Sequence, residues 1–189
     1  MDQEQAGSPP FIPFFGPSGG GKTTLLEGVV RRLKERGWRV AVIKHTHHRV
    51  LLDRPGKDSW RLGEAGADIV AVSSPDRLAI FERVGRELGL KQLLPSLQGR
   101  VDVVLCEGFK DAGVPGVLVL GDRRLEEASR YKNEVMAVVS AAPTTLSEVR
   151  HYSSDDIEGI AGLVEEMAGL TGRAPQAESG PGRRAGKQG

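Results

Sequence analysis

An α/β fold, with helices on both faces of a mostly parallel sheet, is predicted by three features of this sequence. Apolar segments of strand length alternate with segments of helical period along most of the chain. The strand-like runs "RVAVI" and "VDVVLC" are apolar almost throughout, the pattern of strands buried on both faces. A glycine-rich turn, "GPSGGGKTT", sits directly between the strand-length run "FIPFF" and the first segment of helical period.

In chain order, strands are expected at 11–15, 38–45, 69–74, 78–82, 101–106, 116–120 and 135–140. Helices are expected at 22–36, 59–65, 85–94 and 155–168. The first helix has Leu25, Leu26, Val29, Val30 and Leu33 on one face, with Gly37 placed to close it. The stretch "VAVSSPDRLAIFE" has a Ser-Pro-Asp turn between two short strands and predicts an antiparallel hairpin at a sheet edge. Pro13 falls inside the first strand, where a central position would ordinarily forbid it, so a bulge or strand start is expected there. Asp58 or Ser59 is expected to cap the second helix. Residues 1–10 read as a flexible lead, 11–171 as one nucleotide-binding domain, and 172–189, nearly devoid of apolar residues, as a disordered tail.

Bulk properties narrow the function. The 189-residue chain carries a formal charge of +1, which gives no electrostatic case for nucleic acid or a membrane surface. Its single cysteine, Cys106, rules out an internal disulfide framework and is expected to be a small buried residue. No apolar stretch is long enough to span a bilayer and the N-terminus lacks a signal-peptide pattern, so a cytoplasmic location is expected.

The glycine-rich turn carries the chemistry. Gly16, Pro17, Ser18, Gly19, Gly20, Gly21, Lys22 and Thr23 fit the phosphate-loop spacing, and Thr24 extends it. Glycines let successive backbone N–H groups approach phosphate oxygens closely, and the following helix adds its unpaired amides and positive dipole end. Lys22 is expected to reach the β- and γ-phosphates, and the Thr23 hydroxyl to ligate Mg2+. Glu107, ending an apolar strand, is the expected acid beside it. It would hold Mg2+ through water or orient an attacking water.

Between these lie "KHTHHRVLLDRPGKDSW", with three of the four histidines at positions 45, 47 and 48. Lys44 and His45 are read as strand-end caps, and the histidines either as polar contacts to an anion or as transition-metal ligands. Asp53 is a candidate second Mg2+ contact, and Arg54 and Lys57, beside the Pro55-Gly56 bend, are candidate phosphate neighbours.

In combination, "GPSGGGKTTLLE", "VIKHTHH", "DRPGKDSWRLGEAGAD" and "VLCEGFK" closely resemble the molybdopterin-guanine dinucleotide biosynthesis protein B (MobB) family, from about residue 11 to 170. The resemblance implies a three-layer P-loop GTP-binding protein with GTP and Mg2+ as ligands. It also implies a homodimer that assists a MobA-type nucleotidyltransferase in joining GMP to molybdopterin, either by supplying nucleotide or by binding the cofactor. Pro17 departs from the family pattern. No Asn-Lys-x-Asp stretch is present to read guanine, and backbone amides near Ala141 are the substitute. No glutamine closely follows Glu107, so GTP hydrolysis is expected to be slow. Two other readings are a small-molecule kinase using Arg123, Arg124 and Arg130, and a metal-delivery GTPase using His45, His47 and His48.

Overall fold

The apolar run Phe11–Phe15 forms strand β1 at the centre of a six-stranded sheet. In this computed structural model, residues 7–46, 48, 50–51, 53–109, 114–122, 135–141 and 149–175 are described. The described elements continue with α1 (Lys22–Glu35), β2 (Val40–Lys44), α2 (Asp58–Glu64), β3 (Ile69–Ser73), β4 (Leu78–Glu82) and α3 (Leu90–Leu93). After a 3-10 turn at Leu94–Leu97 come β5 (Val103–Glu107), β6 (Gly116–Gly121), β7 (Val135–Ser140), β8 (Arg150–Tyr152) and α4 (Ile157–Met167). The chain divides into two compact units, Met1–His45 with Leu94–Gly189, and Thr46–Leu93.

The first unit has the strand order β2-β5-β1-β6-β7-β8, and every pairing in it is parallel. Helices α1 and α4 pack on one face, where Ile12, Phe14, Leu33, Leu105, Val119 and Ile160 form the main core. Phe15, Leu118, Leu120 and Val138 are buried as a second cluster. Alternate residues of β5, Val104 and Cys106, have no exposure either, so this strand is dry on both sides and its unbroken apolar run is explained.

Pro13 sits in mid-strand without a bulge, in register with Cys106 on β5. It is tolerated because pairing between β1 and β6 begins only at Phe14, beyond the missing N–H. The Pro13 carbonyl lies on that side, 2.3 Å from where a Cβ on Gly116 would stand, so the glycine permits the approach.

Helix α1 is closed by Arg36 as C-cap with Gly37 following at φ 87°, and the Gly37 amide donates to the Lys34 carbonyl. Helix α4 is capped by Asp156, whose carboxylate accepts from the Gly159 amide at 2.9 Å. Arg36 and the Trp38 indole N–H both donate to Glu165 of α4, which ties the two helices together at their polar rim. On the β2–β5 side, Arg39 forks onto Asp102 with bonds of 2.8 and 3.1 Å, and its own amide adds a third at 2.8 Å. Strand β8 carries no apolar run, "RHY", and its pairing to β7 leaves no signature in the hydrophobic pattern.

In the second unit β3 and β4 form the expected antiparallel hairpin, but as a separate two-stranded sheet rather than an edge of the large one. The helix expected over 85–94 shrinks to Leu90–Leu93. Gly85 and Gly89 weaken the preceding turn, and Pro95 diverts the next residues into a 3-10 turn. Helix α2 has Lys57, not Asp58 or Ser59, at its N-cap and no side-chain cap, since a lysine ammonium has no acceptor to offer the first-turn amides, and the Ser59 hydroxyl donates to Asp53. No helix among the described residues is long and apolar enough to cross a membrane.

Candidate functional site

The carboxyl ends of β1, β2, β5, β6 and β7 open on one rim of the sheet, the usual ligand edge of a parallel α/β fold. The chain leaves β1 at Gly16 and enters α1 at Lys22. Gly16 (φ 142°), Gly19 (φ 75°) and Gly21 (φ 81°) all adopt conformations that L-residues avoid, and Gly21 is the N-cap of α1 without any side-chain cap. The turn lies tight on β6. A Cβ on Gly16 would fall 2.2 Å from the Val119 carbonyl oxygen, and one on Gly20 3.1 Å from it. Ser18 and Gly19 are exposed, as are Thr23 and Thr24 at the head of the helix. Lys22 curls back over the turn and donates to the carbonyls of Gly16 (3.2 Å) and Pro17 (2.6 Å).

Glu107 is the last residue of β5, with its side chain 12% exposed. Its carboxylate accepts from the Thr23 hydroxyl at 3.0 and 3.1 Å. Beyond it the chain turns through two left-handed residues, Gly108 (φ 97°) and Phe109 (φ 55°). The Phe109 conformation is unusual for an aromatic residue and is held from both sides. The Gly108 amide donates to the Phe14 carbonyl, and the Phe109 ring lies 4.8 Å from the His45 ring. The His45 amide, in turn, donates to the Glu107 carbonyl at 2.9 Å.

Lys44, expected from the sequence only to cap its strand, enters this group as a member. Its ammonium is 3.1 Å from the Glu107 carboxylate and 3.5 Å from the Thr23 hydroxyl. The sequence does hold a signal for it: a lysine and a glutamate each end a strand, and adjacent parallel strands in register bring such ends together.

Asp53, Arg54 and Lys57 belong to the Thr46–Leu93 unit. The partners of Asp53 are local: the Arg54 amide at 2.7 Å and the Ser59 hydroxyl at 2.5 Å. These bonds, first that from Ser59, hold its carboxyl below the ordinary range. The arrangement closes the turn ahead of α2. His48 is exposed, while His47 lies outside the described residues, as do Arg123, Arg124 and Arg130. Among the described residues no three histidine, cysteine or acidic side chains come together as a metal-binding group.

Chemically, the rim offers an amide-rich turn with an ammonium laid across it. Beside it stand a hydroxyl and a carboxylate, two hard oxygen donors about one hydrogen bond apart. That donor set fits a small oxygen-seeking dication such as Mg2+.

Comparison with known proteins decides the family. The model of "Molybdopterin guanine dinucleotide synthesis protein B" matches residues 11–141, well over half of the chain. The chain belongs to this family. A relative from Escherichia coli, the "Molybdopterin-guanine dinucleotide biosynthesis adapter protein", is 37% identical over 163 residues, 83% of this chain and 92% of its own. A protein of the same name from Haemophilus influenzae is 37% identical over 135 residues, 71% of this chain and 76% of its own. Among solved structures, Bacillus subtilis MobB superposes with a TM-score of 0.71 at 28% identity, covering 84% of this chain and 97% of the other. The matched segment includes the phosphate-loop turn, Lys44 and Glu107, so family membership and the rim geometry concern the same residues.

Proposed function

We propose that this protein is a GTP-binding adapter in molybdopterin guanine dinucleotide biosynthesis, assisting a MobA-type nucleotidyltransferase. The observation that carries this reading is the glycine turn leading into α1 with Thr23 bonded to Glu107 of the neighbouring strand. A turn of this kind has one evident chemical use, gathering backbone donors around a polyphosphate. In this reading residues 16–22 wrap the phosphates. Lys22 transfers its ammonium from the carbonyls of Gly16 and Pro17 to phosphate oxygens, and Thr24 lies near the α-phosphate. Thr23 directly, and Glu107 directly or through water, hold Mg2+, which supplies positive charge against the phosphates.

The names of the curated relatives support the adapter role, since an adapter serves another enzyme. Molybdopterin is the substrate of that partner and a candidate ligand of this chain. Guanine preference rests on the family. The Ala141 amide, the proposed substitute for a base-reading motif, donates to the Gly121 carbonyl in this conformation, so reading a base would require it to be released. Hydrolysis of GTP is proposed to be slow, far below about one turnover per second without a partner, because no glutamine closely follows Glu107 to position water. A homodimer in the cytoplasm completes the proposal. Apolar side chains exposed on the hairpin, Leu78 and Ile80 among them, offer a surface for a second copy.

Calorimetric titration of the full chain with GTP and with ATP, each with and without Mg2+, tests the reading. Saturable, Mg2+-enhanced binding of GTP over ATP is expected. Absence of binding to either nucleotide would overturn it. Arg54→Ala and Lys57→Ala, titrated in parallel, test whether the 53–59 turn adds phosphate contacts.

A further inference from the structure

Lys44 and Glu107 are register neighbours at the ends of β2 and β5, and their ion pair reaches the Thr23 hydroxyl. The two members of the pair are held very differently. Glu107 ends a fully buried strand with a side chain 12% exposed, whereas the Lys44 side chain is 57% exposed. The carboxylate is the fixed partner and the ammonium the movable one. A pair with one such exposed member is weakly held in water, so the ammonium is available to a stronger anion.

Resting on the phosphate-loop reading above, we infer that Lys44 is a terminal-phosphate sensor. It exchanges the Glu107 carboxylate for the last phosphate of a bound nucleoside triphosphate and so separates triphosphate from diphosphate. The reason is charge. A dication arriving with the nucleotide at Thr23 and Glu107 would share one carboxylate with an ammonium already 3.1 Å from it, and the two cations repel. The ammonium must then leave for another anion. A terminal phosphate beside the metal supplies an oxygen acceptor for a charge-assisted bond, and a diphosphate supplies none there. Lys22, whose ammonium lies on the Gly16 and Pro17 carbonyls, serves the turn itself and is a separate cation. The backbone beside Lys44 stays still during the exchange. Its neighbour His45 is fixed by the amide bond to the Glu107 carbonyl and by the Phe109 ring, so only the lysine side chain needs to turn.

The test is calorimetry on the full chain with Mg2+ and either a non-hydrolysable GTP analogue or GDP. Lys44→Ala should lose about tenfold or more in affinity for the triphosphate analogue and less than about twofold for GDP. Lys44→Arg, which keeps the charge, should retain most of the parent's preference. Equal losses for both nucleotides, or no loss for either, would overturn the inference. If thermal unfolding shows Lys44→Ala to be misfolded, Lys44→Gln takes its place, since its amide can still donate to Glu107 without carrying charge. The same selective loss is expected of it, and equal or absent losses count against the inference. A parent protein that binds neither nucleotide would sink the phosphate-loop reading itself and this inference with it.

Discussion

The sheet-bearing unit and the Thr46–Leu93 unit are built from similar proportions of apolar residues but use them in opposite ways. In the first, Ile12, Phe14, Leu33, Leu105, Leu118 and Ile160 are all but sealed from solvent. In the second, Val70 and Leu90 are the only large apolar side chains counted as core among the described residues, and Leu51, Leu78 and Ile80 stand more than 60% exposed. A strand such as β5, dry on both faces, can hold the Glu107 carboxylate and the strained Gly108–Phe109 turn in one place. A two-stranded sheet with its apolar residues in water cannot pre-set a site with comparable rigidity. Precision in this molecule therefore resides at the sheet rim, and the hairpin unit carries most of the exposed large apolar side chains among the described residues.

The largest expected effect tests the rim alone. Lys22→Ala should abolish measurable nucleotide binding, a loss of about a hundredfold or more, with the thermal midpoint near that of the parent. Unchanged binding would remove the phosphate-loop assignment. Gly16→Ala should instead attack the scaffold. Its Cβ would stand 2.2 Å from the Val119 carbonyl at a backbone angle suited to glycine, and a loss of about 3 kcal/mol in denaturant unfolding is expected.

Core truncation then sets the two units against each other. Leu33→Ala, at a position with no exposure, should cost about 3 kcal/mol, whereas Leu78→Ser at an exposed hairpin position should change stability by less than about 0.5 kcal/mol in dilute protein. A concentration-dependent loss for Leu78→Ser would place that surface between two copies of the chain.

A pH experiment sharpens the account of the β2–β5 side. The Arg39 side chain first, and its amide as well, hold the Asp102 carboxyl below its ordinary range. A depressed folded-state value means the pair stabilises the fold above the unfolded carboxyl's value, near pH 4, and the contribution is lost as pH falls through the folded value. Asp102→Asn should accordingly cost about 2 kcal/mol at pH 7, with the gap to the parent narrowing below about pH 4. The smallest effect concerns Cys106. Burial pushes its thiol up to about 12, so the folded protein should show negligible reaction with a thiol reagent at pH 8 and full reaction once unfolded.

Much of this was legible in the chain because its signals are local. Three glycines before a lysine and a helical apolar stripe require no partner to be recognised. The run "VDVVLC" is covered on both faces as expected, but "RVAVI", read the same way, is not: β2 is an edge strand and Val42 is 49% exposed. Strand β8 was not legible, because three polar or aromatic residues acquire strand geometry only from β7 beside them. The tolerance of Pro13 depends on where the β6 ladder begins, and α2 starts with Lys57 at its N-cap, ahead of both capping candidates. Neither is written in the residues' own preferences.

By itself, the order of amino acids determined the α/β class, the phosphate-loop turn and the candidate acid, since each depends on periodicity or on backbone freedom within a few residues. Only the tertiary structure brought Lys44 into the expected Thr23–Glu107 pair, and made the hairpin its own sheet. Parallel register between β2 and β5 places residues 63 positions apart side by side, as Lys44 and Glu107 are. Such long-range pairing is selected by the packing of the whole sheet, which no short window of sequence encodes.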